Sequence, residues 1–518
     1  MSWSSATKVP SPESDSRKKS TSSYADSSST SCTYSLRSSV LDMTMPFRNP
    51  KGLSWFVTAL FLVDDMAGGG LVALPTAMVQ TEFYSGFALL IVMMSVTLYT
   101  AWALGNSWNI LLNTWPEYRV HCRKPYPEIA FRAMGEHARR FVSIVNDITQ
   151  FGISTVYLLL SSKNIHDVVK TYAHTDFSYC FVVLILAVCL LPVTLLKSPQ
   201  DFWWAVVAAM FTTAAAVVLI VVGISLDFGL CSQYTEVPPL KMKSFFLAVG
   251  TLIFSCGGHA AFPTIQHDMR NPGEYGKSLV VSFLMLFLMY GAIATTGYFT
   301  YHDAIRDSIL PSIQTQWIQQ TCNILITIHC ILTVTIVLNP LNQELEDVFH
   351  CPHHFCWQRV AVRSATMTAV VFVGESIPNF GPLLDLVGGS SMTLAAVILP
   401  CLFYVYLLAG HVQAKETGKD HTQVTFTEVL IHTPRATLFI CVFIIFIGFV
   451  GGAAATFSAI VELSTTRFLL PCYVTPFLSK KHPADNAASV YCCGPYQNIT
   501  HSGVPDMCAP MPAVPFYG

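Results

Sequence analysis

The sequence predicts an all-α membrane protein that crosses the bilayer eleven times. Hydrophobic residues make up 52% of the 518 residues, charged residues only 12%, and the mean hydropathy is +0.49. Apolar segments long enough to cross a bilayer recur along the chain, with few charges inside them. These two features exclude an ordinary soluble domain and indicate a polytopic membrane protein.

The predicted spans divide the chain into three parts. Residues 1–52 form a Ser-rich polar tail, predicted to be disordered, without the apolar core of a cleavable signal peptide. Residues 464–518 form a tail rich in Pro and Cys. The spans between them are 53–78, 84–111, 141–162, 179–197, 201–226, 244–266, 278–300, 318–340, 360–380, 383–409 and 436–463.

The distribution of Lys and Arg predicts the orientation. Most of these residues fall in the N-terminal tail and in the inter-span segments on its side, which places the N-terminus in the cytosol. Eleven spans then place the C-terminus outside the cytosol. The protein is predicted to lie in the plasma membrane or an endolysosomal membrane. The sequon Asn498-Ile499-Thr500 lies on that side, so Asn498 is predicted to be glycosylated.

Cysteines on the same side predict disulfides, because that compartment is oxidising. Cys231 and Cys322 both fall near the outer ends of spans and are predicted to pair. The tail adds Cys472, Cys492, Cys493 and Cys508, whose connectivity is left open. Free thiols or palmitoylation are the alternative for the tail cysteines.

The first span contains a sequence that a simple membrane anchor would not carry. It reads Asp64-Asp65-Met66-Ala67-Gly68-Gly69-Gly70, and Pro75 follows. Each Gly disfavours helix by about 1 kcal/mol relative to Ala, and two carboxylates near mid-membrane are costly unless they have partners. We predict a broken helix whose loosened backbone holds a solute. The alternative is that the glycines only allow a neighbouring helix to pack closely.

The sixth span repeats this pattern. It reads Phe254-Ser255-Cys256-Gly257-Gly258-His259-Ala260-Ala261-Phe262-Pro263, again with Pro five residues after the last Gly. Glycine-interrupted segments in corresponding halves are typical of secondary transporters. An unwound turn exposes amide N–H groups that bind a carboxylate and carbonyl groups that bind a cation or an ammonium group.

Three segments resemble the amino acid/auxin permease (amino acid transporter transmembrane) family. They are Gly68–Pro75, Phe254–Pro272, and the pair Ile377–Phe380 and Leu383–Ser390. The resemblance covers about 50–463 and implies eleven helices, with inverted repeats over about 53–226 and 244–409 and an extra helix at 436–463. It also implies amino-acid transport coupled to H⁺ or Na⁺. Asp64 and Asp65 depart from the small or apolar residues usual in this family.

With that resemblance, the backbone groups near the two breaks are predicted to bind the substrate. The amides of Gly68, Gly69 and Gly70 would hold its carboxylate, and the carbonyls of Ser255 and Cys256 its amino group. The lack of side chains would let the substrate approach the backbone closely at Gly257 and Gly258. Tyr157, in the third span, is a further candidate for the carboxylate.

Ion coupling is predicted to involve polar residues close to these breaks. Asp64, Asp65 and His259 favour H⁺ over Na⁺, because such groups can change charge. Thr327, in the eighth span, is the candidate for an all-oxygen Na⁺ site, although Thr hydroxyls more often bond their own helix. His329 is predicted to be structural, and a packing role is the alternative for His259.

Two carboxylates are predicted to gate the site. Asp147 lies nearer the cytosolic end and could pair with Arg139 or Arg140, and Asp385 heads the tenth span as an outer gate. Both are structural residues in the alternative interpretation.

The function predicted from the sequence is a secondary active symporter of small or neutral amino acids, working by alternating access. A non-transporting amino-acid sensor that signals through the N-terminal tail is the alternative. An enzyme using His259 and Cys256 is disfavoured, because no oxyanion site is apparent. No cofactor, nucleic acid or metal is expected; the His350–Cys356 segment has no specific ligand spacing.

Overall fold

The computed structural model describes residues 47–50, 52–120, 122, 124–173, 178–195, 203–232, 235, 237–305, 307–352, 356–418, 423–465, 472, 500–501 and 504–505. The chain is almost entirely helical in this part. Its helices are α1 Trp55–Met66, α2 Gly69–Thr81, α3 Phe83–Thr114, α4 Pro125–Met134, α5 Glu136–Ala173, α6 Tyr179–Thr194, α7 Trp203–Cys231, α8 Met242–Cys256, α9 Phe262–His267, α10 Tyr275–Tyr301, α11 Gln316–Val348, α12 Trp357–Ser376, α13 Phe380–Val387, α14 Leu399–Thr417, α15 Phe426–His432 and α16 Arg435–Thr465.

Shorter elements complete the chain. Single 3₁₀ turns lie at Pro116–Arg119, Pro272–Glu274, His302–Ala304 and Leu310–Ser312, and π-helical turns at Gly388–Met392 and Leu394–Ile398 join α13 to α14. Two antiparallel strands, β1 Thr500–His501 and β2 Val504–Pro505, form a two-residue pair. Leu53, just before α1, forms a parallel bridge with Met269.

Six helical segments of the described chain are long and apolar enough to cross a membrane, or seven when α1 and α2 count as one bent span. The six are Phe83–Thr114, Val206–Gly229, Pro272–Tyr301, Gln316–Val348, Phe380–Thr417 and Arg435–Ser464. The remaining predicted spans coincide with helices that are short, such as α6 and α8 with 16 and 15 residues, or more polar, such as α5. Eleven crossings and the internal repeat therefore stay predictions.

The interrupted helices lie in the centre of the bundle. α2 packs along α8, α1 along α10, and α11 between α5 and α7. Leu71, Val72 and Leu74 of α2 have no exposed surface. By contrast, α16 exposes a row of phenylalanines, including Phe439, Phe446 and Phe449 at 65% or more. Large apolar side chains that are exposed in this number are expected to face lipid.

The structure contradicts the predicted Cys231–Cys322 disulfide. Cys322 is a buried free thiol 4.0 Å from the Ala216 carbonyl, whereas Cys231 is disulfide-bonded to another cysteine. The prediction failed because Cys322 points between α11 and α7 and not toward the outer loops. A bridge that was not predicted joins Cys180, at the start of α6, to Cys472. Cys472 thus confirms the expectation of a disulfide in the C-terminal tail, while Asn498 lies outside the described residues.

Candidate functional site

The first helix is broken at its glycines, as predicted. α1 ends at Met66, α2 begins at Gly69, and the two axes differ by 59°. The Gly68 amide turns back to the Met66 carbonyl at 3.0 Å, so regular i to i−4 bonding stops there. Pro75 lies inside α2, where it removes one further helical hydrogen bond.

The second break lies between α8 and α9. Cys256 is the last residue of α8, Gly257 is extended, and helical structure resumes at Phe262. A single turn, closed by a 3.0 Å bond from the Ala261 amide to the Gly258 carbonyl, spans the gap. Pro263 falls in the first turn of α9, a position that suits proline because its missing N–H has no helical partner there.

The two breaks face one another reciprocally. A Cβ placed on Gly70, at the start of α2, would lie 2.6 Å from the Cα of Ser255, near the end of α8. A Cβ on Gly258, in the second break, would lie 2.2 Å from Oδ2 of Asp65, near the end of α1. Only glycine lets the main chain come this close at both positions. Close helix packing was the alternative role that the sequence left open for the glycines. The glycines therefore serve both the break and the close contact.

Two tyrosine side chains contact the main chain at these breaks. The Tyr157 phenol, from α5, packs against Gly68 and Gly69; its oxygen would lie 1.8 Å from a Cβ placed on Gly68. The Tyr290 hydroxyl, from α10, lies 2.9 Å from the Met66 carbonyl and 2.7 Å from the Ser255 carbonyl. One hydroxyl proton can serve one of these carbonyls at a time. Sequence reasoning missed Tyr290, although a lone tyrosine in the middle of an apolar span was a signal.

A cavity lies beside the second break. It is narrow and partly open to solvent, with about 20 Å³ that the centre of a water molecule can reach, and small residues of the break line it. Asp65 contributes from α1 and Gln150 from α5; the other lining residues are Thr149, Ile153, Gly257, Gly258, His259, Ala260, Ala261, Val337, Met392, Ala395 and Ala396. Oδ2 of Asp65 and Oε1 of Gln150 are buried and have no hydrogen-bond partner among the described residues. The cavity thus presents acceptors that a donor-rich ligand could satisfy.

The cavity separates the predicted substrate residues into two groups. Gly257 and Gly258 line it, whereas Gly68, Gly69, Gly70, Tyr157, Ser255 and Cys256 lie in packed contacts next to it. The lining residues of α5 precede Tyr157, so the cavity extends toward the N-terminal end of α5. In this conformation it does not reach the Gly68–Gly70 amides.

The opposite side of the breaks is closed. A Cβ on Gly69 would lie 3.5 Å from the Phe380 ring at the start of α13. Nearby, the Thr251 hydroxyl of α8 donates to Oδ1 of Asp385 at 2.5 Å and ties α13 to α8. Asp385 therefore links α13 to α8 by a hydrogen bond in this structure. It lies on the side of the breaks where an outer gate was predicted.

The predicted ion-coupling residues separate into different environments. Asp65 faces the cavity, but Asp64 points away from it, with Oδ1 3.5 Å from Nδ1 of His329 in α11. Nε2 of His259 lies 2.9 Å from the Thr100 hydroxyl and 3.1 Å from the Thr97 carbonyl, which anchors this ring to α3. The buried hydroxyl of Thr327 has no hydrogen-bond partner in the described chain.

The expected pairing of Asp147 with Arg139 or Arg140 is absent. Arg139 pairs with Glu128 and Glu136, and Arg140 with Glu136, because α4 places its own carboxylate beside the start of α5. Asp147 instead lies near Lys124 and Glu344. Within the described ranges no three His, Cys, Asp or Glu side chains form a metal-binding group; residues 353–355 fall outside those ranges.

Comparison with known proteins finds amino acid transporters in sequence and a shared fold among solved structures. "Lysine histidine transporter-like 1" of Arabidopsis thaliana is 26% identical over 392 residues, 72% of this chain and 84% of that protein. "Amino acid transporter AVT1B" of the same organism is 24% identical over 77% of this chain and 69% of its own length. The crystal structure of MhsT in complex with L-phenylalanine shares the fold, with a TM-score of 0.53 at 10% identity, over 79% of this chain and all of MhsT.

The model of the "Transmembrane amino acid transporter protein" family matches residues 51–458. The match confirms the predicted family, and with it that the chain is not an enzyme, since these are transport proteins. The chain belongs to the transmembrane amino acid transporter protein family and is a multi-pass membrane protein.

Proposed function

We propose that this protein is a secondary active symporter that moves small or neutral amino acids with H⁺ by alternating access. The observation that carries this proposal is the reciprocal contact of the two breaks, Gly70 with Ser255 and Gly258 with Asp65. Interrupted helices that meet in this way bring unpaired main-chain donors and acceptors to one place inside the bundle. Eleven spans and a cytosolic N-terminus complete the proposal.

In this proposal Asp65 binds the ammonium group of the substrate. Its Oδ2 is buried beside the second break, has no hydrogen-bond partner in the described chain, and faces a cavity without a Lys or Arg in its lining. A buried carboxylate without a partner is costly, so a ligand that brings a cation gains free energy there. The glycine and alanine residues of the lining favour a small substrate side chain once the cavity widens.

The two tyrosines lie at the main-chain groups that the substrate would contact. The Tyr157 phenol packs against Gly68 and Gly69, whose amides would bind the substrate carboxylate. The Tyr290 hydroxyl donates toward the Met66 and Ser255 carbonyls, which would share the ammonium group with Asp65. In the proposed cycle the substrate replaces the Tyr290 hydroxyl at these carbonyls, so that they stay paired.

The asymmetry of the structure supports alternating access. Access from the N-terminal end of α5 reaches Asp65, while Phe380 and the Thr251–Asp385 bond close the other end. The Cys180–Cys472 bridge joins the start of α6 to the C-terminal tail, which supports a topology with both on the same side of the membrane. We assign the open end of the cavity to the cytosolic side and the protein to the plasma membrane or an endolysosomal membrane.

Uptake by proteoliposomes tests the proposal. Purified protein is assayed with labelled amino acids at two pH values, with and without Na⁺, and with unlabelled small neutral, aromatic or basic amino acids as competitors. We expect saturable uptake that an inward H⁺ gradient stimulates. Binding without flux would indicate the sensor instead, and competition by basic amino acids alone would overturn the substrate class.

A variant of Asp65 tests the ammonium contact. A hydrogen bond to a charged group is worth about 1.5–3 kcal/mol, so Asp65→Asn should raise the KM about tenfold or more. The matched control is Asp167→Asn, a partly exposed carboxylate of α5 near His166, which should leave KM unchanged. An unaltered KM in Asp65→Asn would show that the ammonium group binds elsewhere.

A further inference from the structure

We infer that Asp64 and His329 together form the site that carries the coupled proton, on the side of α1 that faces away from the substrate cavity. This inference rests on the proposed function. Oδ1 of Asp64 lies 3.5 Å from Nδ1 of His329, and the two side chains are 4% and 0% exposed. The pair connects α1, which ends at the first break, to α11.

The surroundings of the imidazole suit a ring that carries two protons. The Thr213 hydroxyl donates to the Ala209 carbonyl at 2.9 Å, so a lone pair of Thr213 faces Nδ1 at 2.8 Å. The Thr333 hydroxyl donates to the His329 carbonyl at 2.9 Å, so a lone pair also faces Nε2, at 3.5 Å. Each ring nitrogen therefore faces a threonine hydroxyl that can accept from it, closely at Nδ1 and at the outer limit of a hydrogen bond at Nε2, and the Asp64 carboxylate lies 3.5 Å from Nδ1.

His259 lacks such surroundings. The Thr100 hydroxyl donates to the Thr97 carbonyl at 3.0 Å, so Nε2 of His259 is the donor to α3. Its Nδ1 is buried and has no hydrogen-bond partner in the part of the chain that the structure describes. One proton satisfies this ring, so the neutral tautomer fits and His259 serves as an anchor on α3.

Charge balance makes the Asp64–His329 pair a site for one proton. The Asp64 carboxylate and the neutral His329 ring together carry a charge of −1. One added proton, shared between them, makes the pair neutral, and a second would give it a charge of +1. Either net charge is expensive at this depth, by several kcal/mol. The titratable groups recorded next to the pair are Asp65 of α1, beside Asp64, and Tyr157 of α5, whose ring lies 6.3 Å from the His329 ring; Cys330 of α11 is near Tyr157. No Lys or Arg of the described chain pairs with Asp64 or His329.

The location of the pair connects its protonation to the movement of α1. When the pair is loaded, attraction between Asp64 and His329 holds α1 against α11, and Thr213 adds α7 to the contact. When the proton leaves, the uncompensated Asp64 carboxylate favours movement of α1 toward water. Because Asp65 is the next residue of α1, the same movement changes the substrate cavity. The proton enters from one side of the membrane and leaves to the other, with no other bond changed.

Reconstituted full-length protein tests this inference with a labelled mixture of the twenty protein amino acids as the probe. Accumulation driven by a pH gradient without Na⁺ is compared with counterflow at equal pH. Asp64→Asn and His329→Gln should each lose accumulation by about tenfold or more, keep counterflow within about threefold, and show no additive loss when combined. His302→Gln is the matched control, a half-buried histidine bonded to Thr235 in an outer loop, and should match the wild type in both assays.

Other outcomes overturn the inference or the proposed function separately. Accumulation that survives in either variant, or wild-type accumulation that needs Na⁺, overturns the proton site. A wild type that neither accumulates nor exchanges label overturns the transport function itself. If Asp64→Asn or His329→Gln fails to give monodisperse protein, Asp64→Glu is used instead, and the pH at which its counterflow is half-maximal is measured. A midpoint shifted from that of the wild type supports the site, and an unchanged midpoint refutes it.

Discussion

A single methyl group at Gly70 tests the contact between the two breaks. In Gly70→Ala the new Cβ would lie 2.4 Å from the Ser255 hydroxyl and 2.6 Å from the Ser255 Cα. The hydroxyl can rotate away, but the Cα belongs to the backbone of α8. Since ordinary contact begins near 3.4 Å, α2 and α8 must separate locally by about 0.8 Å. Overpacking of this kind costs about 1–3 kcal/mol.

The assays for Gly70→Ala are the melting temperature in detergent and the rate of amino-acid uptake. We expect a lower melting temperature and uptake reduced by about tenfold, the equivalent of 1.4 kcal/mol in the transport barrier. Gly276→Ala is the matched control, because no atom lies within 4 Å of its added Cβ and Ala is the better helix former in α10. Wild-type melting and uptake in Gly70→Ala would refute the close approach of the two breaks.

Three further perturbations test other parts of the structure. Tyr290→Phe removes the hydroxyl shared by the Met66 and Ser255 carbonyls. It should destabilise the protein without substrate by about 1 kcal/mol and so tighten amino-acid binding, measured by thermal shift titration, about fivefold. Weaker binding would mean that Tyr290 itself binds substrate. Burial raises the pKa of Asp268, in the loop after α9, to about 6, so the charged form opposes folding above pH 6 and protonation removes the penalty as the pH falls. Asp268→Asn should therefore melt higher than the wild type at pH 7 and equally at pH 4, and equal melting at both would contradict the burial. In cells that carry the protein in the plasma membrane, an impermeant reductant should open the Cys180–Cys472 bridge and expose both thiols to alkylation, whereas resistance until that membrane is permeabilised would reverse the assigned orientation.

In the proposed mechanism, two adjacent carboxylates at the end of one helix connect substrate to proton. Asp65 faces the cavity, and Asp64 contacts His329 on the other side of α1. Neighbouring residues of a helix point about 100° apart, which separates the two carboxylates into different environments. A movement of α1 therefore changes both environments at once.

The sequence by itself determined the helical class, the family and the positions of both breaks. Runs of glycine weaken a helix, and a proline follows each run by five residues, so Gly68–Gly70 and Gly257–Gly258 indicated the two interruptions without knowledge of the fold. Only the tertiary structure decided which side chains meet there. Tyr290 at both carbonyls, His329 beside Asp64, and Cys180 bonded to Cys472 join residues from distant parts of the chain. Such contacts depend on how helices rotate and pack against one another, which the local pattern of hydrophobicity does not specify.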